Sequence, residues 1–239
     1  MTTLPEVRLD HAGTGLVGRL ATPQSAGPHP VVLVFPSALG LGEHALESAQ
    51  ALADAGYIGL GIDMYGGGVF ASYSDAGETG DKFTALTAQP SLLRERANAW
   101  LAHAHTLPGA DPARIAAIGY CFGGLCVLEL ARSGVDLKVV VSYHGILKTS
   151  CPAPAGAIKA QVVAYCGGRD PYAPLADIDG LRSELEEAGA SYQITTFGQV
   201  AHSFTDPRAV GVAREGIAYD ATAAQVSWAG TLGLFASLL

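Results

Sequence analysis

Hydrophobic residues occur along this chain mainly as short runs of Val, Ile and Leu rather than in alternation with polar residues. Such runs are typical of strands that are covered on both faces, as in a parallel sheet. After a hairpin at residues 7–23, which turns around residues 13–15, the pattern predicts core strands at 29–36, 57–64, 114–120, 138–144, 160–166 and 191–197.

Segments with apolar residues at helical spacing separate these strands. They predict helices at 43–55, 122–132, 176–189 and 222–239, and a further helix that is capped by Ser91 and runs to about residue 106. The stretch 65–90 is rich in glycine, and we predict an irregular, functional segment there. Strands that alternate with helices indicate a three-layer α/β fold with a mostly parallel, doubly wound sheet, in one domain over residues 1–239.

Composition narrows the function classes. Hydrophobic residues make up 49% of the chain and charged residues 15%, which argues for a packed core rather than disorder. The net charge of -8 and the lack of a Lys/Arg run argue against a nucleic-acid partner. No apolar run is long enough for a membrane span, and the acidic stretch 1–10 does not resemble a signal peptide, so we expect a cytoplasmic protein without a membrane partner. The four cysteines lack metal-ligand spacing. We therefore expect no metal, and free thiols in preference to two disulfides.

The most informative segment places Gly119, Cys121 and Gly123 at alternate positions between a predicted strand and a predicted helix. This is the spacing of a nucleophile elbow with cysteine in place of serine. The two glycines leave room where helix and strands crowd the turn. The N-terminus of the helix favours a Cys121 thiolate, and the Phe122 amide can donate to an oxyanion. The alternative is a structural cysteine buried in a tight turn.

Two candidate partners follow in the order that an elbow enzyme requires. Asp170 comes directly after the strand at 160–166, and His202 lies on the loop after the strand at 191–197, at the same edge of a parallel sheet. Taken singly, each could be a turn aspartate or a surface histidine. Together they predict that Cys121 attacks a carbonyl carbon, His202 transfers the proton and Asp170 orients the imidazole. The loop after the first core strand should supply a second oxyanion donor, and we expect the Ala38 amide to provide it.

With these motifs, the chain resembles the dienelactone hydrolase (carboxymethylenebutenolidase-like) family of the α/β-hydrolase superfamily. The stretches that carry the resemblance are 63–66, 119–124, 167–171 and 202–204. The resemblance implies hydrolysis of a small-molecule ester or enol-lactone through a thiol-acyl intermediate, without metal or cofactor. It also implies that Cys121, Asp170 and His202 match the family triad, and that the protein is a monomer or small homo-oligomer.

One position departs from the family pattern. The family typically has a carboxylate after the first core strand that helps to activate the thiol, whereas this chain has Ser37, whose hydroxyl is not a charged proton acceptor. The activation route and the substrate are therefore expected to differ. Arg208 is the best candidate to bind a substrate carboxylate, with Arg94, Arg96 and Lys82 as weaker ones.

Other side chains are candidates to line the substrate pocket. Tyr120 and Ser203 flank the predicted nucleophile and histidine, and Ser37 is a further candidate to contact substrate. His144 ends a strand at the same sheet edge, and we expect it to line the pocket rather than to compete with His202 as the triad histidine. For Tyr120, packing in the core is an equal alternative. Two other functions fit parts of the same pattern. A glutamine-amidotransferase-like protein also has a cysteine elbow, but it usually needs a histidine soon after the nucleophile, and none lies between Cys121 and His144. A non-catalytic ligand-binding scaffold is supported only by Ser37.

Overall fold

The computed structural model describes residues 4–239. Its elements in chain order are β1 (Glu6–His11), β2 (Thr14–Ala21), β3 (His29–Phe35), α1 (Glu43–Asp54), β4 (Ile58–Gly61), α2 (Gly77–Thr87), α3 (Pro90–Ala104), β5 (Ala110–Tyr120), α4 (Phe122–Arg132), β6 (Val139–Tyr143), β7 (Gln161–Gly167), α5 (Leu175–Glu187), β8 (Tyr192–Phe197) and α6 (Ala221–Leu238). A short 3₁₀ helix, Pro207–Ala209, lies between β8 and α6.

The strands of residues 4–239 form one eight-stranded sheet in the order β1-β2-β4-β3-β5-β6-β7-β8. The N-terminal hairpin pairs in antiparallel fashion, while β3 with β4, β6 with β7 and β7 with β8 are parallel. Six of the seven residues of β3 and all five of β6 are buried, because helices cover both faces of such a sheet. The predicted α/β fold is confirmed.

The chain divides into two compact units, Met1–Ala117 and Ile118–Leu239. A single domain over residues 1–239 stays a prediction, and its first three residues lie outside the described ones. In the first unit, Asp63 organises the turn after β4. Its carboxylate accepts hydrogen bonds from the amides of Val17, Tyr65, Gly66 and Gly68 at 2.8–3.0 Å. The Ile62 amide still donates to the Val34 carbonyl of β3 at 3.0 Å, but the next amides bind Asp63 instead, which explains why β4 ends before the predicted boundary at residue 64.

The second unit holds the elbow on a fully buried helix. Every residue of α4 is buried, and its last residue, Arg132, forms ion pairs with Glu129 at 3.1 Å and with Glu184 of α5 at 2.7 Å. Arg132 also donates to the Leu147 carbonyl at 3.0 Å. Because these buried charges are paired and hydrogen-bonded, they fasten α4 to α5 without leaving an uncompensated charge.

Two details of the prediction are wrong. The stretch 65–90 is not irregular throughout, because residues 77–87 form α2, whose weak amphipathic pattern was hidden among glycines. Ser91 is not a cap: α3 begins at Pro90 after Gln89, since proline has no amide hydrogen to leave unsatisfied at the first helical position.

Two findings concern the predictions about membrane spans and disulfide bonds. Within residues 4–239, every helix is too short or too polar to cross a bilayer. All four cysteines are free, so the alternative of two disulfides is wrong.

Candidate functional site

Cys121 occupies a strained turn between β5 and α4. Its backbone has φ 54° and ψ −112°, a conformation that L-residues rarely adopt and that is concentrated at functional sites. The turn is held by bonds from the Cys121 amide to the Tyr143 carbonyl at 3.0 Å and from the Gly124 amide to the Cys121 carbonyl at 3.0 Å. A Cβ on Gly119 would collide with the backbone of Gly123, so this turn requires glycine at position 119. Cys121 thus stands at the N-terminus of α4, where the helix dipole favours negative charge.

Asp170 and His202 form a buried pair. His202 Nδ1 lies 2.7 Å from Asp170 Oδ2, and their side chains are 3% and 0% exposed. The other carboxylate oxygen accepts the Tyr172 amide at 2.8 Å, which fixes the carboxylate plane. With Nδ1 held by Asp170, Nε2 is the nitrogen left to take part in the hydrogen bond between His202 and Cys121. The structure therefore brings together the three residues that the sequence order selected.

The charges of this cluster favour a protonated imidazole. Burial opposes protonation of His202, but the negative charge of Cys121, the hydrogen bonds to Asp170 and Cys121, and the charge of Asp170 raise its pKa to about 10. A negative charge on Cys121 and a proton on His202 therefore favour each other.

The neighbouring thiols have a different environment. Burial, with a smaller effect of Glu129, raises the pKa of the Cys126 thiol well above its ordinary value. Burial and then the Asp170 charge raise the pKa of Cys166 to about 12. Both side chains therefore stay neutral at physiological pH, which suits packing rather than nucleophilic chemistry.

Aromatic rings surround His202. His144 packs against it at a centroid distance of 5.0 Å and is 2% exposed, and its Nε2 lies 2.8 Å from Thr205 Oγ1. Tyr172 packs against it at 4.7 Å and is 40% exposed. Sequence reasoning missed Tyr172 and Thr205, although both lie within three residues of a predicted triad member.

The remaining pocket candidates are more buried than expected. Tyr120 is 2% exposed and stacks on Tyr143 at 5.1 Å, which favours core packing over contact with substrate. Ser203 is 4% exposed and has φ 59°, because the chain turns sharply there to return His202 to the sheet edge.

Three of the side chains that were predicted to bind a substrate carboxylate contact other groups of the protein. Arg208 Nη1 lies 3.3 Å from Asp206 Oδ1, which neutralises part of the charge predicted to bind a carboxylate. In the first unit, Arg96 is buried and donates to the Met64 carbonyl at 2.6 Å, which disfavours it as a ligand for a substrate carboxylate. Lys82 lies 3.7 Å from Glu78 on α2. The candidacy of Arg94 on α3 stays a prediction.

The loop after β3 in the first unit has a defined conformation. Ser37 Oγ accepts the Leu39 amide at 3.3 Å, and the Ser37 carbonyl accepts the Gly40 amide at 3.0 Å. The Tyr65 hydroxyl donates to the Ala38 carbonyl at 3.2 Å. The roles of Ser37 in substrate binding and of the Ala38 amide as an oxyanion donor stay predictions. Within the described residues, no group of three or more His, Cys, Asp and Glu side chains could hold a metal ion.

Known protein families and solved structures resemble this chain over most of its length. A model of the dienelactone hydrolase family matches residues 16–239. The chain belongs to the dienelactone hydrolase family. Its fold is accordingly that of the α/β-hydrolases, and it is a hydrolase of this family's type.

Individual members of the family are similar over nearly the whole chain. The dienelactone hydrolase-like promiscuous phosphotriesterase P91 from metagenomic libraries is 33% identical, with a TM-score of 0.91 over 99% of this chain and 98% of its own. A carboxymethylenebutenolidase homologue from Synechocystis sp. is 27% identical over 98% of this chain and 95% of its own. A dienelactone hydrolase homologue from Klebsiella pneumoniae, 23% identical with a TM-score of 0.78 over 97% of both chains, shares the fold.

Proposed function

We propose that this protein hydrolyses small-molecule esters or enol-lactones with Cys121 as the nucleophile, His202 as the acid and base, and Asp170 as the orienting carboxylate. The observation that carries the proposal is the coupling of Cys121 to the buried His202–Asp170 pair at a helix N-terminus. Each member then has a role that its own environment favours, as in other triads.

The reaction proceeds in two halves. The Cys121 thiolate attacks the carbonyl carbon, the C–O bond breaks, and the His202 imidazolium gives its proton to the departing oxygen. His202 then takes a proton from water, and the hydroxide attacks the thioester. The acid is released, and the thiolate and imidazolium are restored. No net charge is created in either half, which suits a buried site.

Oxyanion stabilisation is assigned to two backbone amides. Phe122 is the first residue of α4, where amides point out of the helix towards developing negative charge. In the loop after β3, Ser37 already accepts the Leu39 and Gly40 amides through its hydroxyl and carbonyl. The Ala38 amide stays the candidate for the second donor on the sequence order alone.

Thiol activation rests on His202 and the helix dipole. Ser37 accepts a hydrogen bond within its own loop and carries no charge, so it does not replace the carboxylate that is typical of the family. We propose that the thiolate does not need this carboxylate, because an imidazolium with a pKa of about 10 lies next to it. The pairing of Arg208 with Asp206 favours a substrate without a carboxylate, such as a neutral ester or lactone.

We also propose a cytoplasmic monomer or small homo-oligomer, since free thiols persist in reducing compartments.

The test compares the wild type with Cys121→Ala, His202→Ala and Cys151→Ala on phenyl acetate and a panel of enol-lactones. Cys151 is an exposed thiol and serves as the control. We expect turnover to be lost in the first two variants and kept in the third, and iodoacetamide to modify Cys121 first. Absence of turnover of every ester, together with no preferential alkylation of Cys121, would refute the proposal.

A second candidate activity is phosphotriester hydrolysis. The observation that favours it is the similarity to P91, which is described as a promiscuous phosphotriesterase and is 33% identical over nearly the whole chain. Attack of the same thiolate on phosphorus with departure of an aryloxide uses the same groups. Diethyl p-nitrophenyl phosphate tests it, and release of p-nitrophenol that survives in Cys121→Ala would exclude this route.

A further inference from the structure

Proton transfer by His202 fixes where the leaving group of an ester must lie. The His202 imidazolium can protonate the departing oxygen only within hydrogen-bonding distance of Nε2. The group bonded to that oxygen must therefore lie beside the imidazole ring. The side chains that line the imidazole and remain accessible decide which leaving groups fit.

Two of the rings that lie against His202 differ in accessibility. His144 is 2% exposed, so its ring is closed to a ligand. The Tyr172 ring, at a centroid distance of 4.7 Å and an interplanar angle of 54°, is 40% exposed. Tyr172 is therefore the accessible one of these two residues, and its ring lies directly against that of the proposed proton donor.

The position of Tyr172 is fixed from two sides. Its amide donates to Asp170 Oδ1 at 2.8 Å, which ties its backbone to the carboxylate of the buried pair. The preceding Pro171 packs so closely on Gly216 that a Cβ there would lie 2.5 Å from the proline ring, and the Gly216 carbonyl accepts the His202 amide at 2.8 Å. The ring thus stands on a rigid turn rather than on a free loop.

We propose that Tyr172 determines leaving-group specificity: its exposed face receives the ring of an aryl ester, so the site prefers aryl over alkyl leaving groups. The inference rests on the proposed function, in which His202 protonates the leaving oxygen. An aryl ring that packs on Tyr172 in an offset or tilted arrangement gains attraction beyond the effect of buried area. The preference belongs to acylation, because the leaving group has departed before the thioester is hydrolysed.

The test uses two acetate esters that form the same acetyl-enzyme, phenyl acetate and 2,2,2-trifluoroethyl acetate. Both leaving groups are activated, but only the first has a ring. The variants are Tyr172→Leu, which removes the ring, and Tyr172→Phe, which keeps it. Both retain the amide that donates to Asp170. Tyr192→Leu on β8 is the matched control, because that side chain contacts Glu186 instead.

We expect Tyr172→Leu to lower kcat/KM for phenyl acetate by about three- to tenfold, mainly through KM. It should leave trifluoroethyl acetate unchanged. Tyr172→Phe and Tyr192→Leu should leave both esters unchanged. Equal losses on both esters, or no loss on either, would overturn the role of Tyr172. Cys121→Ala, measured alongside, distinguishes failure of the Tyr172 proposal from failure of the proposed function. Turnover that persists in that variant refutes the proposed function itself.

Discussion

Replacement of Asp170 by asparagine probes the buried pair most directly. The carboxylate is fully buried and holds His202 Nδ1 at 2.7 Å. Asparagine keeps the shape and can still accept the Tyr172 amide through its oxygen, but its NH₂ group then faces Nδ1. Nδ1 must become the acceptor, so the proton moves to Nε2. That nitrogen can no longer accept a proton from Cys121, and the imidazolium loses its counter-charge.

The size of the effect follows from the burial. Loss of one partner from a buried, hydrogen-bonded charge pair costs about 3–5 kcal/mol. If this cost falls on the charged transition state, kcat/KM should decrease by about 10²- to 10⁴-fold. Steady-state hydrolysis of phenyl acetate at pH 7 measures it. Asp179→Asn is the control, because that carboxylate is 75% exposed on α5 and should be dispensable.

The pH profile of the same variant supplies a second readout. Asp170 contributes to the raised pKa of His202, so Asp170→Asn should lower that pKa and move the alkaline limit of activity to lower pH. A decrease in kcat/KM of less than tenfold, with the alkaline limit in its wild-type place, would refute the assigned role of Asp170.

Two further predictions concern charge and backbone geometry. The negative charge of Cys121 is the largest influence that raises the pKa of His202 to about 10, so Cys121→Ala should lower that pKa, and an unchanged imidazole titration by NMR would contradict the coupling. Gly119→Ala should destabilise the fold by about 1–3 kcal/mol in urea unfolding, since the new methyl would meet the Gly123 backbone. Gly180→Ala on α5, with no atom within 4 Å of the new Cβ, should not destabilise, and an equal loss in both variants would show that the elbow is not constrained at Gly119.

Local patterns in the sequence were sufficient for most of the fold. Runs of buried β-branched residues located the core strands, and the structure ends α1 and α4 within one residue of the predicted boundaries. The pattern failed where local signals conflicted. α2 lies within a glycine-rich stretch and has only two buried residues, so its helical period was weak. β4 ended early because Asp63, rather than a neighbouring strand, binds the next amides.

The candidate triad was predictable for a related reason. An elbow needs glycine at fixed positions around its nucleophile, and parallel strands bring their carboxyl ends to one edge, so Cys121, Asp170 and His202 could be selected by order alone. The family resemblance of the same segments agrees with the match over residues 16–239. Arg208 shows the limit of this approach, because its charge was visible in the sequence whereas its partner Asp206 was not.

The sequence by itself determined the fold class, the position of the elbow and the chain order of its partners, since all three depend on local pattern and spacing. Tertiary structure alone decided which groups touch. It placed His202 Nδ1 on Asp170 across 32 residues of sequence, buried Tyr120 and His144, and left Tyr172 exposed beside the imidazole. Hydrogen bonding and burial depend on distances between segments that are remote in sequence, and these distances raise the pKa of His202 and set the exposure of Tyr172.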